Sequence, residues 1–253
     1  MNNSYLFEKV KKGRALRFFS NCYSMTGLDN SNRIWEDGDS FLFSFEDHGV
    51  NRLQFYVENY SVLSKLLAKV DPGKYCFEIM TKNPDEFMDA KVSIIAKMLR
   101  MSNADCSSIL IDKSLAQYKD DSIVEIATTE DTVEINSILW NTFNTEVSHL
   151  LSDEELKAVI ENKQVFVHRS DKIDAILQAD IKPKKFYINQ VINKTEKNVI
   201  HAIVLSQLEK YIENGGKYLY AWVDETNIAS VKFHKKYGMQ HDGMWNIVYC
   251  LER

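Results

Sequence analysis

The stretch Gly215–Gly243, GGKYLYAWVDETNIASVKFHKKYGMQHDG, decides how the rest of this sequence is interpreted. Its apolar alternation from 218 to 223 predicts a strand, and a helix is expected to follow from 227 to 237. Asn227 is a favoured N-cap residue, and Gly238 permits the left-handed backbone with which a chain leaves a helix. The stretch therefore predicts a strand, a capped helix and a sharp exit from that helix.

The residues on both sides of this stretch extend the same alternation of strands and helices. Apolar periodicity predicts helices over 129–143, 152–162 and 198–213. Alternating patterns predict strands over 123–127, 164–168, 173–181 and 185–192, and a closing hairpin over 239–251 around Asp242-Gly243. The expected fold class is α+β, with a mixed, mostly antiparallel sheet and flanking helices.

The first half of the chain predicts a separate, smaller set of elements. We expect a helix over 5–19, a loop over 21–40, a hairpin over 41–57, a short helix over 63–70 and a strand over 74–80. Asn83-Pro84-Asp85-Glu86 is typical of a helix start and predicts a helix to Arg100, and 107–112 is expected to be a strand. The polar stretch LAQYKDDS at 115–122 predicts two packed domains, 1–118 and 119–253.

The composition narrows the class of protein. A net charge of −5 and a pI near 5.7 argue against a nucleic-acid binder with a broad basic surface. The four cysteines lie far apart without metal-ligand spacing, which predicts free thiols in a reducing compartment and no metal site. The chain has no signal-peptide pattern and no long apolar run, so we expect a cytoplasmic protein without a membrane partner. The oligomeric state is left open.

A spaced motif connects the opening stretch to a known family. Asn227, Ser230, His234, Gly238 and Met239 fall without a gap at the positions of N-x-x-A/S-x-x-x-Y-x-x-x-G-F. Together with the element order, this motif makes 123–253 similar to an acyltransferase domain of the GNAT superfamily. The resemblance implies acetyl-CoA or another acyl-CoA as substrate and an amine of a small molecule or peptide as acceptor. Residues 41–80 resemble the centre of the same fold, which implies a tandem with a degenerate N-terminal domain.

The resemblance also implies site residues. His234 stands where most relatives have a tyrosine that protonates the departing thiolate, and a histidine can also donate a proton. The alternative is a helix histidine that pairs with solvent or a carboxylate. The implied acyl-CoA-binding residues are Val191, Ile192, Lys194, Lys197, Asn198, Val199, Asn227 and Ser230. Candidates for a general base are, by residue type alone, Glu125, His168 and Asp180, and His201 is expected at the phosphate side or on the surface.

The phosphate loop departs from the family pattern. The two glycine positions of Q/R-x-x-G-x-G/A become Asn198 and Ile200 within NKTEKNVIHAIVL, and the arginine position becomes Thr195. A β-branched residue is poor where a left-handed turn is needed, and Glu196 adds a negative charge beside an anion site. Lys194, Lys197 and the helix dipole favour an anion in compensation. These residues are consistent with weak, altered or lost CoA binding.

Three functions remain open from the sequence. The first is an N-acyltransferase that moves an acyl group from acyl-CoA to an amine. The second is a non-catalytic GNAT-like module that binds or regulates a partner, which the altered loop favours. The third is a Fem-type aminoacyltransferase, against which the acidic pI argues.

Overall fold

The structure is a computed structural model that describes residues 4–22, 31 and 33–253. The chain divides into two compact units, which interleave along the sequence. The N-terminal unit comprises Met1–Lys97, Asn144–His149 and Met244–Arg253. The C-terminal unit comprises Met98–Phe143 and Leu150–Gly243. The predicted domains, 1–118 and 119–253, divide the chain at a single point, whereas each of these units takes residues from both halves of the chain.

The described residues contain helices and strands in mixed order. The helices are α1 Ser4–Ala15, α2 Tyr60–Leu67, α3 Lys113–Ala116, α4 Thr132–Thr142, α5 Asp153–Glu161, α6 Lys197–Glu213 and α7 Ile228–Lys235. The strands are β1 Phe19–Ser20, β2 Arg33–Asp37, β3 Ser40–Asp47, β4 Val50–Val57, β5 Lys74–Thr81, β6 Val92–Asn103, β7 Glu125–Ile126, β8 Val165–Arg169, β9 Ile173–Lys182, β10 Lys185–Asn193, β11 Leu219–Asp224 and β12 Gln240–Glu252. None of the described helices is long and apolar enough to span a membrane. The mixed, mostly antiparallel α+β class predicted from the sequence is confirmed.

In the N-terminal unit, strands β2, β3 and β4 form an antiparallel meander, of which the hairpin pattern predicts β3 and β4. Helix α2 then connects β4 to the parallel strand β5, and the two strands are paired at Arg52–Cys76. The side chains beside this pair are aromatic: Phe77 lies 6.5 Å from Phe55 and 6.2 Å from Phe87 between ring centroids. Tyr249 completes the cluster, 5.1 Å from Phe77. Buried rings therefore occupy the core beside the β4–β5 pair.

A polar cluster fixes the segment Asn144–His149 in the N-terminal unit. The ring nitrogens of His149 each lie 2.8 Å from a carboxylate oxygen, one of Asp47 and one of Glu78. Desolvation lowers the pKa of His149, but the hydrogen bonds to both carboxylates outweigh it and raise the pKa to about 9. Arg52 adds hydrogen bonds from its guanidinium to the backbone carbonyls of Thr145 and Glu146. A doubly protonated imidazole between two anions thus holds a segment that lacks regular secondary structure.

The C-terminal unit contains the predicted antiparallel meander, β8–β9–β10. Helix α6 follows β10 and leads to β11, which runs parallel to β10 and antiparallel to the end of β6. One face of this sheet packs against α6, with Leu177, Phe186 and Ile203 in the core. The other face packs against α4 and α5, with Ile135, Leu156 and Ile176. The capping box predicted at Ser152 is present, because Ser152 and Glu155 bond each other's backbone N–H groups.

Two expectations for the first half are wrong around residue 100. The helix predicted from Asn83 to Arg100 is a turn followed by strand β6, and the strand predicted at 107–112 is a 3-10 helix, Cys106–Ile111. The Asn83-Pro84-Asp85-Glu86 signal makes one turn, in which Glu86 N–H donates to the Asn83 carbonyl. Met98–Asn103, the second half of β6, then pair with Asp224–Leu219 of β11, so a tertiary partner overrides the local helix signal.

Two further expectations change at the strand level. The predicted loop 21–40 contains β2, which pairs with β3, whereas 23–30 and 32 lie outside the described residues. The closing hairpin predicted around Asp242-Gly243 is one continuous strand, β12. Gly243 has φ +85 within that strand, so the Asp-Gly pair is accommodated without a chain reversal. Trp245–Glu252 pair with Thr81–Lys74 of β5, which supplies the neighbour that a hairpin partner would have supplied.

The place of β6 predicts how fragments of the chain behave. A fragment of residues 119–253 lacks Met98–Asn103, so the whole antiparallel edge of β11 is exposed. We expect this fragment to be poorly folded by circular dichroism and protease resistance, and to gain structure when a peptide of residues 92–105 is added. A scrambled peptide serves as the control. Cooperative unfolding of the fragment alone, unchanged by the peptide, would contradict the assignment of β6 to this unit.

Candidate functional site

The main feature of the C-terminal unit is a pair of parallel strands, β10 and β11, that are hydrogen-bonded at one end and separate at the other. β10 and β11 are paired from Phe186–Leu219 to Ile188–Ala221. Beyond that point β10 continues to Asn193 beside β9, and β11 continues to Asp224 beside β6. A bulge at 189 shifts the register of β10 and bends it there. The described pairing thus leaves the β11-facing edge of 190–193 without a strand partner.

Helix α7 begins at the end of β11 and is capped as expected. The side chain of Asn227 accepts a hydrogen bond of 3.0 Å from the backbone N–H of Ser230. That N–H is one of the donors left without a partner in the first turn of a helix. At the other end, Gly238 has φ +65, and a Cβ there would lie 2.9 Å from Asn103 Nδ2. Asn227 and Gly238 therefore fix both ends of α7, while the Ser230 backbone amide is already used.

His234 lies on α7 and is buried, with 4% of its surface exposed. Its Nδ1 lies 2.8 Å from the Ser230 carbonyl oxygen, which can only accept, so Nδ1 carries the proton. Burial lowers the pKa of His234 to about 4, against the weaker effect of the Ser230 hydrogen bond. Its Nε2 is buried and has no partner among the described residues. At neutral pH the ring therefore presents an unpaired acceptor nitrogen, and it must take up a proton before it can donate one at Nε2.

The loop between β10 and α6 does not form the glycine-type phosphate nest. Among the described residues, those with a positive φ include none from 193 to 199. Lys194 N–H donates to the Asp174 carbonyl and Val199 N–H to the Glu196 carbonyl, so both amides are already used. Glu196 occupies the N-cap without a side-chain cap bond. What remains for an anion is the start of α6 with the exposed Lys194 and Asn198; the side chain of Lys197 lies outside the described residues.

The other predicted residues separate onto different faces. Val191 is partly buried against the α6 core, whereas Ile192 is buried on the α4–α5 side. The candidate bases all have a close charged or hydrogen-bonding partner. Glu125 pairs with Arg169 at 2.9 Å, His168 with Asp174 at 2.6 Å and Asp180 with Lys182 at 2.9 Å. No candidate base in the described chain thus stands out by position, in keeping with the absence of any sequence signal for one.

His201 is neither at the phosphate side nor on the surface. It is 3% exposed, and its Nδ1 lies 2.7 Å from the Tyr237 hydroxyl. Its ring stacks on Phe233 at 5.1 Å and lies 4.8 Å from Tyr118. This cluster joins α6 to α7 and was missed from the sequence. The four-residue spacing of Phe233 on α7 and Tyr237 just beyond its end was the one signal that both rings face the same neighbour.

The neutral state of His234 predicts a dependence of stability on pH. Its folded-state pKa of about 4 lies below the unfolded value near 6.5, so the unfolded chain binds more protons between these values. The free energy of unfolding should fall as the pH drops from 6.5 to 4, by about 3 kcal/mol at most from this group. In His234→Gln that part of the fall should be absent, and His241→Gln, at an exposed histidine, is the control. Equal pH profiles for wild type and His234→Gln in urea titrations would contradict a buried neutral ring.

Comparisons with known proteins agree with this geometry. The sequence matches no family model and no curated protein. Among solved structures, a GCN5-related N-acetyltransferase from Sphaerobacter thermophilus is similar with a TM-score of 0.56 at 9% identity, over 84% of this chain and 76% of that one. A GNAT-family acetyltransferase from Colwellia psychrerythraea gives 0.52 at 16%, over 93% and 99%. A tandem GNAT protein from the clavulanic acid biosynthesis pathway gives 0.52 at 11%, over 86% and 81%. The chain therefore has the fold of the GNAT acetyltransferases.

Proposed function

We propose that the C-terminal unit is an N-acyltransferase that moves an acyl group from acetyl-CoA or another acyl-CoA to an amine of a small molecule or peptide. The observation that carries this proposal is the parting of β10 and β11 after Ile188–Ala221. The backbone groups of β10 beyond this point lack the neighbour that a continuous sheet would supply, and buried backbone groups seek such partners. The amide-bearing arm of an acyl-CoA can take the place of that neighbour.

In the proposed reaction, one acyl group changes partners and one proton moves. The amine nitrogen attacks the thioester carbon, and a backbone N–H of 189–192 stabilises the oxyanion of the tetrahedral intermediate. His234 accepts the proton of the attacking nitrogen at its unpaired Nε2. The C–S bond then breaks, and the ring passes the same proton to the thiolate. The amine enters as its free base after losing its ammonium proton to solvent, and the neutral ring is the competent starting state for the single proton that then moves.

The start of α6 binds the CoA phosphates in this proposal through charge rather than through a glycine nest. The dipole of a 17-residue helix and the exposed Lys194 favour an anion at this end. Glu196 opposes it from the N-cap position. Weak, salt-sensitive binding is the expected consequence, because exposed charges are screened by ions.

Binding is tested by thermal unfolding with acetyl-CoA and longer acyl-CoAs. At a concentration of one hundred times its Kd, the ligand should stabilise the fold by about 2.7 kcal/mol and raise Tm by about 5–10 °C. Lys194→Ala should weaken binding and Glu196→Gln should strengthen it, each by about 1 kcal/mol or less. Both residues are exposed, so neither change disturbs the core.

The control for binding is Lys184→Ala, which removes an exposed lysine from the turn between β9 and β10. Its Tm shift with acetyl-CoA should equal that of the wild type. No shift with any acyl-CoA would refute the acyltransferase and leave the non-catalytic module, which the missing phosphate nest favours.

Turnover separates His234 from a merely structural histidine. We expect His234→Phe to lower kcat by about 10²- to 10⁴-fold with little change in the Kd for acyl-CoA, because a phenyl ring cannot carry the proton. Release of CoA thiol is measured with a panel of primary amines and short peptides, and His241→Gln serves as the control. Unchanged turnover in His234→Phe would remove His234 from the mechanism while leaving acyl-CoA binding intact.

A further inference from the structure

A cavity lies in the C-terminal unit, away from the parted strands. It has a volume of about 550 Å³, within the range of small-molecule sites. Its wall includes the second half of α6, where Gln207, Lys210 and Tyr211 lie on one face. At a rise of about 1.5 Å per residue, Lys210 lies about 20 Å along the axis from the start of α6, where the acyl-CoA phosphates are proposed to bind. The cavity is therefore separate from that site.

The end of helix α5 contributes an unusual residue to this cavity. Lys163 has φ +56, and its N–H donates to the Ile160 carbonyl while Gln164 N–H donates to the Val159 carbonyl. These two bonds define a Schellman motif, whose left-handed residue is usually glycine. Helix α6 ends in the same motif with Gly215 at the equivalent position, φ +82. At Lys163 the chain keeps a long cationic side chain where glycine would relieve backbone strain.

The cavity is positively charged with an apolar floor. Three lysines line it, Lys163, Lys182 and Lys210, and its described lining includes no aspartate or glutamate. Lys182 is paired with Asp180 at 2.9 Å, whereas no ion pair is made by Lys163 or Lys210 with the described residues. The floor includes Phe166 and Tyr211, which are 3% and 5% exposed.

A buried amide adds a polar group to the same wall. Gln207 is 6% exposed, and its Nε2 makes a single long contact of 3.4 Å with Ser206 Oγ. A buried amide normally makes well-formed hydrogen bonds, so the Gln207 amide N–H group can donate a shorter hydrogen bond to a bound ligand. The amide, the two lysine ammonium groups and the aromatic floor together match a flat apolar molecule that carries one negative charge.

We propose that this cavity is a binding site for a small aromatic carboxylate, separate from the acyl-CoA site. The carboxylate pairs with Lys163 and Lys210 and accepts a hydrogen bond from Gln207. The apolar body packs on Phe166 and Tyr211. Binding at this site does not require acyl transfer, so the experiments below test it independently of the proposed function.

The probe is 2-naphthoate, with the uncharged 2-naphthamide as its matched control, and Kd is measured by titration calorimetry on the full chain. We expect 2-naphthoate to bind at least tenfold more tightly than 2-naphthamide, and Lys210→Met to remove most of that difference. Lys157→Met, which replaces an exposed lysine on α5 outside the cavity, should bind as the wild type does.

Lys163→Gly separates a binding role from a structural one. If the side chain serves the ligand, this change relieves the left-handed strain and raises Tm by a few degrees, about 2–4 °C, while it weakens 2-naphthoate binding about tenfold. A lysine that only balanced the dipole of α5 would leave 2-naphthoate binding unchanged. Absence of saturable binding, or equal Kd values in wild type, Lys163→Gly and Lys210→Met, overturns the proposal.

Discussion

The C-terminal unit depends on the two unequal ladders of strand β11. Its ladder with β6 runs the full length from Leu219–Asn103 to Asp224–Met98, whereas its ladder with β10 stops at Ala221. The bulge at 189 bends β10 at the same level, so that the rest of β10 stays with β9. β11 cannot stay paired with both β6 and β10 where these two strands diverge. Because β11 stays paired with β6 along its full length, it separates from β10. The gap is thus a consequence of the sheet and does not depend on any one side chain.

The same strand explains which parts of the fold could be read from the sequence. Elements whose partners are near in the chain were predicted within a few residues: the meander β8–β10, helix α6 and the capped start of α5 at Ser152. The segment from Asn83 to Asn103 was not, because β11, the partner of Met98–Asn103, lies far along the chain and the local Asn-Pro-Asp-Glu signal is satisfied by a single turn. The hairpin predicted at Asp242-Gly243 was wrong for the same reason, since β12 pairs with the distant strand β5 rather than with a strand that follows a turn at this position.

At the candidate site, the positions of the residues could be predicted from the sequence, whereas the protonation state of His234 could not. The spacing of Asn227, His234 and Gly238 was enough to place a capped helix after β11, because caps and helix exits are local. The protonation of His234 was not predictable, since it follows from burial and from the Ser230 carbonyl, and the sequence shows neither. His201 was misplaced because its partner, the Tyr237 hydroxyl, lies far along the chain, just after the end of α7.

The state of His234 bears on how a site without an obvious base could work. The carboxylates that were candidates by type, Glu125 and Asp180, are held by Arg169 and Lys182. At Asp180, burial raises the pKa but the hydrogen bonds from Lys182 and Lys185 outweigh it and lower the pKa, which makes this carboxylate a weaker proton acceptor. A neutral imidazole with a bare Nε2 faces no such competition. Its pKa of about 4 makes it a poor resting base but a strong acid once protonated, so in the proposed reaction it holds a proton only briefly. In the proposed reaction, most of the barrier is therefore lowered by a backbone N–H of β10 that stabilises the oxyanion, beside the parted strands.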